Sequence, residues 1–293
     1  MLFFPNVKIN LGLRILRRRA DGYHDIATVM LPVGWCDVLE MLPARDGTGS
    51  FRQSGVALDC PPEKNLVLKA LRNLEAYLDR TLPPLDIILE KHIPSGAGLG
   101  GGSSDASFAL VGANALFRLG LSDGELAAVA ARTGADCPFF IYNRPMLATG
   151  IGEILRPADC SALAGMGLLI AKPVSEAVST AAAYAGVIPR EIDSDSTLAE
   201  ELGRDVAGWA DAGVFVNDFE ASIFPLRPEI AAVKERMCAA GAVYTAMSGS
   251  GAAVFGLFPS VKLAEEARTA FADCDTFAGN ALYTSAPSNV LPS

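Results

Sequence analysis

Two histidines in 293 residues, and six cysteines (Cys36, Cys60, Cys137, Cys160, Cys238, Cys274) without a CxxC pair, leave no zinc-ligand spacing and no disulfide framework to read. Positive charge is also short. The 24 Lys and Arg against 33 Asp and Glu give a net charge of -9, which argues against nucleic acid or an anionic membrane surface as a partner. No apolar run is long enough to span a bilayer, and the apolar residues come before Arg14, Arg17, Arg18 and Arg19, the reverse of a secretory leader. Internal repeats and low-complexity tails are missing too. What is left is the expectation of a cytoplasmic protein with reduced thiols. With 51% hydrophobic and 19% charged residues, the chain can bury a substantial core and is long enough for two domains.

What the sequence does have, concentrated in one place, is glycine. Ile93-Pro94-Ser95-Gly96-Ala97-Gly98-Leu99-Gly100-Gly101-Gly102-Ser103-Ser104-Asp105-Ala106 carries five glycines between 96 and 102. A backbone without side-chain bulk can turn several successive N–H groups toward one anion. Ser103, Ser104 and Asp105 are good N-cap residues, and Ala106 to Phe117 reads as an apolar helix whose N-terminus faces the same anion. Loop and helix together predict a polyphosphate ligand. Gly96-x-Gly98-x-x-Gly101 fits the dinucleotide spacing, but a turn at Leu119–Ser122 stands where that fold needs a strand. A P-loop requires Lys before the Ser, and Gly102 is followed directly by Ser103. A plain linker is disfavoured by the strand-like Leu85–Lys91 on one side and the apolar helix on the other.

Other constellations are weaker taken singly. Asn6-Val7-Lys8-Ile9-Asn10-Leu11-Gly12-Leu13 alternates, which puts Val7, Ile9, Leu11 and Leu13 on one strand face and Lys8 and Asn10 on the other. A solvated Lys on an edge strand would look the same. Asp21-Gly22 predicts a turn presenting Tyr23 and His24 at the start of a strand through about Val33. Asn65 caps a helix through about Leu78. Thr133 to Tyr142 sets Asp136 among apolar residues, where a carboxylate is paired, catalytic, or a cap before Pro138. Thr180 and Tyr184 share a helix face. Val216-Asn217-Asp218-Phe219-Glu220 reads as a structural Asn/Asp cap ahead of a helix. Ala246 to Gly256 is a second small-residue loop feeding a Val/Phe strand.

Pro94 to Ala106 resembles the second signature of the GHMP kinase superfamily, and Ala246 to Gly256 is similar to the third. Gly134-Ala135-Asp136-Cys137-Pro138 matches the superfamily's Gly-Ala-Asp-x-Pro element. Pro5 to Leu11 with Asp21 to His24 is similar to the opening of the branch that acts on a cytidine diphosphate-linked methylerythritol. The resemblance implies a two-domain α+β fold with a cleft between the domains. A kinase domain of the ribosomal protein S5 domain 2-like type would span 1–150, with a strand at about 281–293 returning to it. A ferredoxin-like domain would span 151–280. It also implies transfer of the ATP γ-phosphoryl group, with Mg²⁺, to the substrate's 2-hydroxyl. Asp136 would be the base and Lys8 would keep it ionised. ATP would be held by Pro94, Ser95, Gly96, Ala97, Gly98, Leu99, Gly100, Gly101, Gly102, Ser103 and Ser104, with Asn65 and Lys91. Asn10, Tyr23, His24, Thr180 and Tyr184 would hold the substrate. No protein ligand to the metal follows, and no motif fixes the number of subunits. The rivals are another small-alcohol kinase of the superfamily, acting on mevalonate or homoserine, and a non-catalytic nucleotide-binding protein on the same scaffold.

Overall fold

A computed structural model describes all residues except 46, 58–60, 62–63, 193–196, 207, 210–212 and 285–293. After the short β1 (Leu2–Phe3), the alternating opening forms β2 (Asn6–Arg18), which turns at Asp21-Gly22 into β3 (His24–Cys36). The pairing slips between Leu11 and Leu13. That irregularity corrects the predicted face: Val7, Ile9 and Leu11 enter one apolar cluster, whereas Leu13 and Ile15 enter another. The opposite face is not solvated either. Lys8 is 3% exposed and Asn10 is buried with it.

Strands β4 (Val38–Pro43) and β5 (Ser50–Gly55) follow, then α1 (Leu66–Leu78), β6 (Leu85–Lys91), α2 (Gly101–Leu116), α3 (Asp123–Ala131) and α4 (Cys137–Tyr142). A hairpin of β7 (Met146–Thr149) and β8 (Ile154–Pro157) straddles residue 150 and extends the β2–β3 sheet, in the order β2-β3-β7-β8. A second sheet, β1-β4-β6-β5, has one parallel pair, β5 with β6. Its apolar face packs under α1 and α2 through Leu39, Met41, Leu89, Ala106 and Leu110.

The second half begins at β9 (Gly167–Pro173) and runs through α5 (Thr180–Gly186), α6 (Thr197–Glu201), α7 (Glu220–Ile223) and α8 (Pro228–Ala239). It closes with β10 (Tyr244–Met247), β11 (Val254–Phe258), α9 (Val261–Arg268) and β12 (Cys274–Asn280). The antiparallel order β10-β11-β9-β12, with α8 and α9 packed against it, is the ferredoxin-like arrangement. Alternation along β9 and β11 serves two cores at once. Leu168, Ile170, Phe255 and Leu257 face the cluster shared with β2 and β3, while Leu169, Val254 and Phe258 face the helices. The halves are therefore joined by a common apolar core. Of the return strand expected over 281–293, residues 285–293 lie outside the described residues, and 281–284 form no strand. No helix among the described residues is long and apolar enough to cross a membrane.

Candidate active site

The glycine-rich stretch is the floor of a cavity of about 810 Å³ between the halves. The helix after it starts earlier than the cap residues predict. Its N-cap is Gly100, in the left-handed region at φ 73°, and Ser103, Ser104 and Asp105 lie inside the first turns of α2. Sterics explain the choice: a Cβ at Gly100 would sit 3.0 Å from the Phe140 ring and 3.3 Å from Lys8 Cε. The residue that opens the helix must be bare for the lysine stem to pass.

Lys8 is held at this junction. Its backbone N–H donates to Leu99 O at 3.0 Å, and its ammonium donates to Gly98 O at 3.2 Å and to Asn10 Oδ1. The same Nζ lies 3.5 Å from Asp136 Oδ2, whose side chain is 33% exposed. Asp136 occupies the N-cap position of α4, yet its carboxylate makes no capping bond. It faces the cavity instead. The alternative of a capping Asp is thereby corrected. Cys137, buried beside it, has a thiol pushed up to about 11 by burial, so it fills core and is no nucleophile.

The third-signature loop closes over the glycines through main-chain contacts. Ser248 Oγ donates to Gly98 O at 3.1 Å, Ala252 N–H to Gly96 O at 3.0 Å and Ala253 N–H to Ala97 O at 3.1 Å. Gly249, Ser250 and Gly251 line the cavity, and Ser250 Oγ is 3.2 Å from Thr180 Oγ1.

Of the predicted nucleotide contacts, Asn65, Lys91 and Pro94 through Ser103 line the cavity, and Ser104 does not. Asn65 has structural duties: Oδ1 accepts from Val67 N–H at 2.9 Å and Nδ2 donates to Gln53 at 3.0 Å. Lys91 is enclosed by two buried carboxylates, Asp37 and, at 2.6 Å, Asp105. Burial alone would push the Lys91 amine down, but Asp105 and Asp37 together hold it above its ordinary range. Burial pushes the Asp105 carboxyl up to about 7, against the pull of Lys91. Two of the three N–H groups of the ammonium are engaged by these carboxylates. Asp37 also accepts from His92 and Ile93 N–H at 2.6 and 2.9 Å, fixing the strand end that enters the glycine loop. Removing one member of such a buried cluster strands the others, at about 3–5 kcal/mol.

Among the predicted substrate contacts, Asn10, Thr180 and Tyr184 line the cavity. His24 is buried and stacks on Tyr184 at 5.1 Å between ring centroids, and Phe219 meets the other side of Tyr184 edge-on at 4.9 Å. Tyr23 is not brought in: it is 60% exposed on the turn and does not line the cavity. Burial first, and then the charge of Asp136, push the Tyr184 phenol up to about 12. Burial and the Arg18 charge hold the His24 imidazole below its ordinary 6.5. The neutral ring is therefore the folded form, and its contribution to stability, complete above 6.5, is lost as pH falls through the lowered value. An NMR titration has only two imidazoles to follow. The one that disappears in His24→Ala is expected to have its midpoint below 6.5; a midpoint above it contradicts the burial argument. Arg17 and Arg19, left out of the site, pair with Asp25 and Asp21 on the exposed turn.

Sequence patterns missed Asp37, Asp105, Phe219 and Ile151. The last three line the cavity, although the sequence patterns offer Asp105 only as a helix cap and Phe219 only as part of a structural cap. Asp37, an acid between Cys36 and Val38 entering a strand, was the only local signal.

Residues 65–144 match the description GHMP kinases N terminal domain, and residues 198–274 match GHMP kinases C terminal. A Porphyromonas gingivalis protein named 4-diphosphocytidyl-2-C-methyl-D-erythritol kinase is 46% identical over 275 residues, 94% of this chain and 97% of that protein. The chain belongs to this family of GHMP kinases. A crystal structure of 4-(cytidine 5'-diphospho)-2C-methyl-D-erythritol kinase superposes with a TM-score of 0.77 at 32% identity, covering 95% of this chain and 98% of that one. The Methanococcus jannaschii mevalonate kinase, at 15% identity and a TM-score of 0.65 over 96% and 97% of the two chains, shares the fold alone. Kinases of the GHMP family use ATP, and the cleft between the two matched domains is where the cavity lies.

Proposed function

We propose that this protein transfers the γ-phosphoryl group of ATP to the 2-hydroxyl of 4-diphosphocytidyl-2-C-methyl-D-erythritol, giving the 2-phosphate and ADP in the non-mevalonate route to isoprenoid precursors. The observation that carries the reading is the Lys8–Asp136 pair, 3.5 Å apart at the edge of a main-chain phosphate cradle. A chain 46% identical over nearly its whole length, whose name is that activity, supports the choice of acceptor.

Phosphoryl transfer asks for positioning and charge more than covalent chemistry. The substrate oxygen attacks the γ-phosphorus, the bond to the bridging oxygen breaks, and its electrons leave with ADP. Asp136 accepts the hydroxyl proton. The Lys8 ammonium and the N–H groups of the glycine loop offset charge on the transferring group. Asn10 orients the acceptor. Among the described residues no cluster of three or more His, Cys, Asp or Glu could cage a metal. Mg²⁺ would arrive on the ATP phosphates, and the Asp136 carboxylate and the Ser103 hydroxyl, which are among the oxygens lining the cavity, would help to hold it. Once bound, the ion supplies further neutralisation of phosphate charge. Tyr184, on the cavity wall, receives the cytosine, and His24, which stacks on Tyr184 without itself lining the cavity, holds that ring in place. The first unit runs through β8, to about residue 157, because that strand completes its sheet.

A coupled ADP-release assay across the cytidine-linked alcohol, mevalonate and homoserine tests this. Turnover is expected with the first alone, and His24→Ala raises its KM about tenfold, through loss of a stacked, hydrogen-bonding ring. Comparable kcat/KM on either of the other alcohols overturns the reading, and ATP binding without ADP release would mark a non-catalytic protein.

A further inference from the structure

The run Asn217–Glu220 holds more of the active site than Phe219, its one residue on the cavity wall, suggests. Asn217 is 1% exposed and does not line the cleft. Its Nδ2 donates to Met247 O at 2.7 Å and to Gly249 O at 2.8 Å, and its Oδ1 accepts from Phe219 N–H at 3.0 Å. Glu220 Oε1 accepts from Met247 N–H at 2.7 Å. The outer edge of β10, which has no further strand beside it among the described residues, is thus paired by side chains. Those bonds fall where β10 passes into the Ser248–Gly251 loop.

The same segment grips the strand that carries Lys8. Leu13 N–H donates to Val216 O at 2.9 Å, Asp218 N–H to Leu13 O at 2.8 Å and Ile15 N–H to Asp218 Oδ2 at 2.9 Å. From Gly249 the path to the reacting groups is short. Ser248 Oγ donates to Gly98 O, the carbonyl that also accepts the Lys8 ammonium, and it accepts from Asn10 N–H at 3.3 Å. A Cβ at Gly249 would lie 2.9 Å from Gly98 O, so the two loops touch backbone to backbone and neither can shift alone.

We propose that Asn217 is a positioning residue for phosphoryl transfer: its amide fixes the Met247–Gly251 loop against Gly98 and so sets the glycine cradle and the Lys8 ammonium together. The inference rests on the kinase reading for its meaning, but its first readout is nucleotide binding, which needs no acceptor. Asn217→Asp keeps the shape and replaces the Nδ2 amine, the source of both donated hydrogens, with one carboxylate oxygen facing two carbonyls. The Kd for a non-hydrolysable ATP analogue is expected to rise about tenfold and kcat to fall between about tenfold and a hundredfold. KM for the cytidine-linked alcohol stays within about threefold, and Asn217→Asp with Ser248→Ala loses no more than the worse single variant, since both act through one contact.

Analogue affinity and kcat both within threefold of wild type overturn the proposal. So do multiplying effects in the double variant, and so does an equal loss of affinity for both ligands, the mark of general loosening. If Asn217→Asp does not fold, Ser248→Ala by itself decides, and an unchanged analogue Kd and kcat overturn the proposal. If the wild type does not phosphorylate the cytidine-linked alcohol, the substrate reading falls while the analogue comparison still decides this one.

Discussion

Asp136→Asn is expected to lower kcat about a thousandfold, the middle of the range for losing a positioned general base and equivalent to about 4 kcal/mol in the barrier. The substitution keeps the side chain's size and removes its capacity to take a proton. Little else should change, because the carboxylate makes no capping bond for α4 and its one ionic partner among the described residues, Lys8, is also held by Gly98 O and Asn10. The melting temperature and the Kd for an ATP analogue are therefore expected to stay near wild type. Single-turnover phosphoryl transfer followed by quench is the measurement. A rate within tenfold of wild type would remove Asp136 from the role of base and leave positioning by Lys8 and the loop as the whole of catalysis.

Gly98→Ala is expected to be among the most damaging single-methyl additions at the described glycines, and the one that strikes the candidate site directly. The new Cβ would lie 2.1 Å from Ser248 O and 3.0 Å from Gly251 N, and the residue sits at φ 72°. Both obstacles are backbone, so no rotamer change relieves them. The two loops must part, and the hydrogen bonds from Ser248, Ala252 and Ala253 to the glycine loop go with them. At about 1 kcal/mol for each bond lost and 1–2 kcal/mol for the strained backbone, roughly 4–5 kcal/mol of stability is at stake. ATP-analogue affinity should fall by more than about a hundredfold, since donors displaced by an ångström no longer converge on one anion. Gly120→Ala is the control: its φ is 71° and nothing lies within 4 Å of the added carbon. That variant isolates the backbone strain, expected to cost about 1 kcal/mol by thermal melting, with nucleotide affinity intact. Equal effects in the two variants would mean that the contact between the loops is unimportant.

How much of this was legible beforehand depended on whether a residue's role was local. The glycine run, the Ser122 cap of α3 and the alternation in β2 announce themselves because turn freedom, capping and face choice are decided within a few residues. The start of α2 was misplaced for a non-local reason: Phe140 and Lys8 demand a bare residue at Gly100, and that outweighs the capping preference of Ser103 and Ser104. Leu13 left its predicted face because the β2–β3 pairing slips, which the strand's own pattern does not encode. The Lys8–Asp136 approach, across 128 residues of sequence, was anticipated only through family resemblance; periodicity gave each residue a face and neither a partner. Asp37 and Asp105 stayed hidden because their partner, Lys91, belongs to an element far from Asp37 in the chain. The pattern reads Asn217 as a structural cap ahead of a helix; the N-cap of α7 is Phe219, Asn217 accepts from its N–H, and the two carbonyls that the Asn217 amide serves lie 30 and 32 residues later.

The contacts between the 96–98 loop and the 248–253 loop set a schedule on synthesis. A growing chain carries its glycine run from the first third of translation, yet the last of the donors that close over the Gly96, Ala97 and Gly98 carbonyls, the Ala253 N–H, arrives only once residue 253 has left the ribosome. Nucleotide can therefore act as a late ligand only, binding a nearly finished polypeptide and drawing its two halves into register, and a fragment that stops before β11 should gain nothing from ATP during folding.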